Sequence, residues 1–133
     1  MDRLFLDANV LFSAAYRPDA GLLALWKLND VVLCSSRYAL EEARINLEEQ
    51  GQRQRLDELA KSLHFSDGFA RQLPRGVSLA KKDIPILLAA IEANADYLLT
   101  GDIRHFGPYL GRRIEGVAVI LPAQYLQLRK GDG

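Results

Sequence analysis

The sequence predicts an α/β fold, a three-layer α/β/α sandwich around a central, mainly parallel sheet. Three observations carry that prediction. Short apolar runs at 3–7, 31–34, 97–99 and 117–121 alternate with stretches of helical periodicity. Leu4-Phe5-Leu6-Asp7 and Leu98-Leu99-Thr100-Gly101-Asp102 run apolar and then end in a carboxylate, as buried parallel strands do where they emerge from a sheet. With 133 residues, 49% of them apolar and 26% charged, the chain has enough length and apolar content to bury a core unaided. One domain is expected over 1–133, with its core at about 3–122.

The elements follow in order. Residues 3–7 read as the first strand and 9–15 as a short helix. Arg17-Pro18-Asp19 breaks the chain, and Asp19 is placed to cap a helix over 20–28, where Leu22, Leu23, Leu25 and Trp26 form an apolar stripe. Asn29-Asp30 is a turn before the second strand, 31–34, in which Cys34 is a small apolar residue. Ser35 or Ser36 caps a helix over 37–49; Gly51 interrupts, and 52–63 forms another helix. Residues 64–80 hold Gly68, Pro74 and Gly76 and read as loop. Asp83 opens a helix to about 93, with Pro85 in the first turn, where a missing N–H costs little. The third strand is 97–99 and the fourth 117–121, stopped by Pro122; 123–129 adds a last helical turn or two. No repeat, low-complexity tract or linker argues for a second domain.

Bulk properties exclude some classes. Seventeen basic residues balance 17 acidic ones, so any surface attracting nucleic acid is local rather than global. The single cysteine rules out an internal disulfide framework and fits a reducing compartment. No run reaches the roughly 18 to 20 apolar residues that span a bilayer, and the first residues do not have the pattern of a signal peptide. The expectation is a cytoplasmic protein with no membrane association.

The acids carry the chemistry. Asp7 and Asp102 end strands, so both belong at the carboxyl edge of the sheet, where open α/β sheets bind ligands. Asn9 adds an oxygen donor near Asp7, and Thr100 a hydroxyl near Asp102. Asp83 precedes Ile86-Leu87-Leu88-Ala89-Ala90, a helix so apolar that it must be buried, and can both cap that helix and face the sheet edge. On the helix after the second strand, Ala39, Leu40, Ala43 and Leu47 mark the buried face. Glu41 and Glu42 compete for a fourth place; Glu41 falls almost opposite that face and Glu42 on its flank, so the wheel favours Glu42 as the inward acid and leaves Glu41 as solvated surface. Asp96 begins its strand and lies at the other edge, outside the site. His64 reads as surface or packing. Carboxylates gathered out of water raise one another's pKa and need a cation or a shared proton. Oxygen donors without a Cys/His cluster suit Mg²⁺ or Mn²⁺ better than zinc.

These blocks together resemble the PIN-domain ribonucleases, in particular toxin components of toxin–antitoxin systems. Leu6-Asp7-Ala8-Asn9-Val10-Leu11 looks like the family's first strand end. The segment 36–44 resembles its glutamate-bearing helix, which puts that role on Glu42. Lys82-Asp83-Ile84-Pro85-Ile86-Leu87 and 95–102 resemble its third and fourth acidic blocks, mapping onto Asp83 and Asp102. The resemblance spans about 3–122 with all four acidic positions filled; 69–80 matches no strong motif. It implies a metal-dependent endoribonuclease in which Asp7, Glu42, Asp83 and Asp102 are catalytic and hold Mg²⁺ or Mn²⁺, with Asn9 and Thr100 in support. RNA is then the substrate, an antitoxin protein a partner, and a homodimer is allowed. Arg104, His105 and Lys82 flank the acids and are the expected phosphate contacts, Arg104 first because a guanidinium grips phosphate bidentately; Lys81 and Arg17 are weaker candidates. Other enzymes fit less well. A haloacid-dehalogenase-like phosphatase needs an acid where Asn9 stands, and no glycine-rich phosphate loop is present. The alternative is a non-catalytic RNA- or protein-binding module on the same fold.

Overall fold

The computed structural model describes residues 1–68 and 72–131. Strand β1 (Asp2–Leu6) is the axis of the sheet, its last three residues fully buried. Helix α1 (Ala8–Tyr16) starts at once, because Asp7 accepts the Ala8 N–H at 2.6 Å and caps it. A 3-10 segment (Gly21–Lys27) leads to β2 (Val31–Ser35), α2 (Arg37–Asn46), α3 (Gln50–Ala60) and the short β3 (His64–Phe65). Then come α4 (Ile84–Glu92), β4 (Tyr97–Leu99), α5 (Ile103–Phe106), β5 (Arg113–Ile114), β6 (Val117–Ile120) and α6 (Pro122–Gly131).

The strand order is β3-β2-β1-β4-β6-β5, and every pairing is parallel except the edge pair β5–β6. The chain steps outward from β1 to β2 and β3, then returns to β4 on the other flank of β1. That reversal is a topological switch point, and it opens a crevice beyond the carboxyl ends of β1 and β4. In register, Leu6 lies opposite Leu99, so the residues that follow each strand are neighbours although about 93 positions separate them in the chain.

Two helices fix the walls of that crevice. Ile86 to Ile91 of α4 are all buried, and the helix packs on β2, β4 and α2; a helix apolar all round has no stable place except a core. Helix α1 packs on α2 and α3. Its last carbonyls would be orphaned, but Arg55 and Gln52 of α3 donate to the carbonyls of Ala15 and Tyr16 at 2.9 and 3.2 Å.

Several boundaries differ from the sequence reading for identifiable reasons. The 20–28 segment is a 3-10 helix rather than an α-helix, with no side-chain cap from Asp19. Helix α2 stops at Asn46 rather than 49, because Leu47 turns to extended backbone and is fully buried. Gly51 does not interrupt: α3 begins at Gln50 under a capping box in which Glu49 and Gln52 serve each other's backbone N–H groups. His64 and Phe65, read as loop, pair with Cys34 and Ser35 as an edge strand. Residues 69–71 of the unmatched segment lie outside the described residues.

Gly68, soon after β3, lies close against α4: a Cβ there would be 2.5 Å from the Leu88 carbonyl carbon, whereas Gly51 faces open space. Gly68→Ala should therefore lower stability by about 1–3 kcal/mol in urea unfolding. Gly51→Ala, in the first turn of a helix, should raise it by about 0.5–1 kcal/mol. A silent Gly68→Ala would show that Gly68 does not pack on α4.

Candidate metal centre

Asp7 sits where β1 leaves the sheet, 3% exposed, and it is held on every side. Its backbone N–H donates to the Leu99 carbonyl at 3.1 Å, continuing the β1–β4 ladder by one residue. One carboxylate oxygen accepts the Ala8 N–H; the other accepts the Thr100 hydroxyl at 2.8 Å and the Asn9 amide at 3.1 Å. Thr100 is fully buried and in turn accepts the Asp102 N–H at 3.1 Å. Asn9 closes the lattice by accepting the Gly101 N–H at 2.7 Å. Glycine suits this approach, since a Cβ on Gly101 would come within 3.3 Å of the Asn9 oxygen. The ends of β1 and β4 are thus stitched together through four polar residues.

Asp102 caps α5, accepting the His105 N–H at 3.1 Å with one oxygen. Its other oxygen lies 2.6 Å from His105 Nδ1. Asp83 precedes α4 but, contrary to expectation, does not cap it: its backbone is already helical, and no side-chain hydrogen bond reaches the helix end. Its Oδ2 is buried and has no hydrogen bond, although His105 Nδ1 stands 3.1 Å away. The two facts agree if the Nδ1 proton is committed to the shorter contact with Asp102. Asp83, Asp102 and His105 are brought together, with one donor atom from each lying within 4.8 Å of the others. Asp7 and Glu42 stand outside that trio but line the same cavity as Asp83 and Asp102, whereas His105 lies behind those two carboxylates and does not line it.

That cavity has a volume of about 800 Å³, and Asp7, Asn9, Glu42, Lys82, Asp83 and Asp102 all line it. Glu42 is half-buried, whereas Glu41 is exposed and lies 4.0 Å from Arg44 on its own helix. Asp96 is at the opposite edge, accepting the Arg3 N–H at 2.8 Å, and His64 is exposed. Arg104 is exposed and does not line the cavity, and Lys81 is likewise exposed. His105, expected beside the acids as a phosphate contact, turns its Nδ1 toward two carboxylates. A residue the sequence reading missed is Tyr38, whose hydroxyl donates at 2.9 Å to the carbonyl of Lys82 and so ties α2 to the turn before Asp83. Leu121, Pro122 and Ala123 form an apolar part of the wall. The rule that ligands bind beyond strand ends could have found them, since they follow β6.

Electrostatics make the site hungry for positive charge. Burial pushes the Asp7 carboxyl up to about 6, against the pull of its hydrogen bonds, and the nearby Asp83 and Glu42 charges push the same way. Burial likewise raises Asp83, with the Asp102 charge adding to it and His105 and Lys82 opposing. Burial and the charges of Glu42, Asp83 and Asp7 raise the Tyr38 phenol. A divalent cation fits this donor set: hard carboxylate oxygens gathered out of water, one of them buried with no hydrogen bond.

A sequence model of the PIN domain matches residues 3–104. A chain from the structure of FitAB bound to the IR36 DNA fragment superposes with a TM-score of 0.53 at 20% identity, covering 90% of this chain and 94% of that one. No curated protein matches significantly. Among the described residues no helix is long and apolar enough to cross a membrane.

The Asp7 shift has a pH signature in protein stripped of metal. From the ordinary 3.8 to about 6, the folded chain keeps a proton that the unfolded chain has lost, so stability falls as pH rises through that window. The fall from this group is about 3 kcal/mol in size and ends above the folded value. Denaturant unfolding in EDTA from pH 4 to 7 should show it, and Asp7→Asn should flatten most of the slope. An unchanged slope in the variant would contradict the burial of an uncompensated Asp7.

Proposed function

This chain belongs to the PIN-domain family, and from that premise we propose that it is a Mg²⁺- or Mn²⁺-dependent endoribonuclease hydrolysing RNA phosphodiester bonds. The observation that supports this most is the single cavity lined by Asp7, Glu42, Asp83 and Asp102, with a buried Asp83 oxygen that makes no hydrogen bond. These four acids would hold one or two cations. When bound, such ions activate water as a nucleophile and neutralise charge on the phosphate and the leaving oxygen.

The chain's own residues supply the rest. Thr100 and Asn9 hold Asp7 in one orientation through its hydrogen bonds, so the carboxylate is aimed before any substrate arrives. Tyr38 braces the Lys82–Asp83 turn against α2. Lys82, on the cavity wall, would meet an RNA phosphate, and Arg104, exposed shortly after Asp102, would meet a neighbouring one. With 17 acids balancing 17 bases, that attraction has to be local, so binding should weaken with salt by only a few charges' worth. We further propose that the protein acts in the cytoplasm as the toxin of a toxin–antitoxin pair, restrained by an antitoxin protein, and that it forms a homodimer.

Asp83→Asn should abolish Mn²⁺-dependent cleavage of a generic single-stranded RNA while leaving the circular dichroism spectrum intact. Thr100→Val should cost about 10–100-fold by freeing Asp7. If Asp83→Asn cleaves as well as the unaltered chain, the nuclease reading fails and a non-catalytic RNA- or protein-binding role takes its place.

A further inference from the structure

We infer that His105 is a ligand of the cation site through Nδ1, and that this nitrogen makes the site select Mn²⁺ over Mg²⁺. The inference rests on the cation site proposed above and goes beyond its four acids. His105 Nδ1 is 2.6 Å from an oxygen of Asp102 and 3.1 Å from the buried Asp83 oxygen that lacks a hydrogen bond, so the ring nitrogen points between two candidate ligands from different elements. An ion held by those two carboxylates would have this nitrogen within reach, since one donor atom from each of the three residues lies within 4.8 Å of the others.

The position is built rather than incidental. On α5, Ile103 and Arg104 face solvent, while Phe106 is fully buried and anchors the turn in the core. Asp102 also fixes the His105 backbone, accepting its N–H at 3.1 Å. The imidazole is therefore preorganised, half-buried, with Nδ1 turned inward. As a ligand, Nδ1 would present its lone pair to the ion, so binding would require the ring to be unprotonated at that nitrogen.

The chemical consequence is selectivity. Mg²⁺ prefers oxygen donors and dehydrates reluctantly, so an all-carboxylate site has little reason to discriminate against it. Imidazole is a softer donor that favours transition cations. A mixed set of two carboxylates and one imidazole should shift preference toward Mn²⁺.

The test uses the full chain, stripped with EDTA, dialysed, and titrated calorimetrically with MnCl₂ and with MgCl₂. Pulsed electron paramagnetic resonance on the Mn²⁺-loaded protein then reads nitrogen-14 coupling to the ion directly. The expected result is such coupling in the unaltered chain, with Mn²⁺ bound at least about tenfold more tightly than Mg²⁺. His105→Ala should abolish the coupling and bring the two affinities near parity. His105→Gln keeps a hydrogen-bond donor for Asp102 and should behave like His105→Ala. If Gln instead preserves the preference, or if Mn²⁺ binds the unaltered chain without nitrogen coupling, His105 is not a ligand, and the nuclease reading stands without it. No saturable Mn²⁺ binding at all would overturn both.

Discussion

Keeping carboxylates out of water at the end of a parallel sheet is costly, and that cost organises this molecule. Asp7 is buried as deeply as a core leucine, and its carboxyl is pushed up to about 6 even though Thr100, Asn9 and Ala8 all donate to it. Three donors would normally hold a carboxylate low. Burial outweighs them here, with the Asp83 and Glu42 charges adding in the same direction. Such an arrangement is retained when something absent from the bare chain compensates it, and a divalent cation is the compensation that these donors suit.

Topology is what imposes the gathering. Because β4 inserts beside β1 after the chain has gone out to β3, two strand ends from distant sequence meet at the switch point. Local hydrogen bonds then convert proximity into geometry. Thr100 is the hinge of that conversion: one buried hydroxyl donates to Asp7 and accepts from the Asp102 backbone. Helix α4 contributes differently, since its apolar surface leaves it no position but the core, and Asp83 is carried inward with it. The apolar interior and the polar pocket are thus parts of one arrangement.

Much of this was legible in the residues. The strands ending at Asp7 and before Asp102 were readable because an apolar run that stops abruptly at an acid marks the point where a buried strand meets water. The α2 wheel separated Glu42 from Glu41 correctly in space, for Leu40, Ala39 and Ala43 define an unambiguous face. Capping roles were legible only in part: Ser36 caps α2 as expected, but Asp83 looks like a cap and is not, while Asp102 caps a four-residue helix too short to show periodicity. The edge strands β3 and β5 have two residues each, below the length at which alternation can be seen. The direction of the His105 ring is not legible, because sequence spacing cannot say which face a single helical turn presents. Only its contacts with Asp83 and Asp102, residues 22 and three positions away, reveal its direction.

Folding of this chain gathers four acids around one cavity, and the proposed occupant of that cavity is a divalent cation. Crystals soaked in Mn²⁺ and measured at a wavelength where manganese scatters anomalously test that claim most directly. The predicted result is an anomalous peak in the cavity at bonding distance from Asp83 and Asp102. A fully soaked crystal with no peak there, or with manganese bound only at surface carboxylates elsewhere, would contradict it.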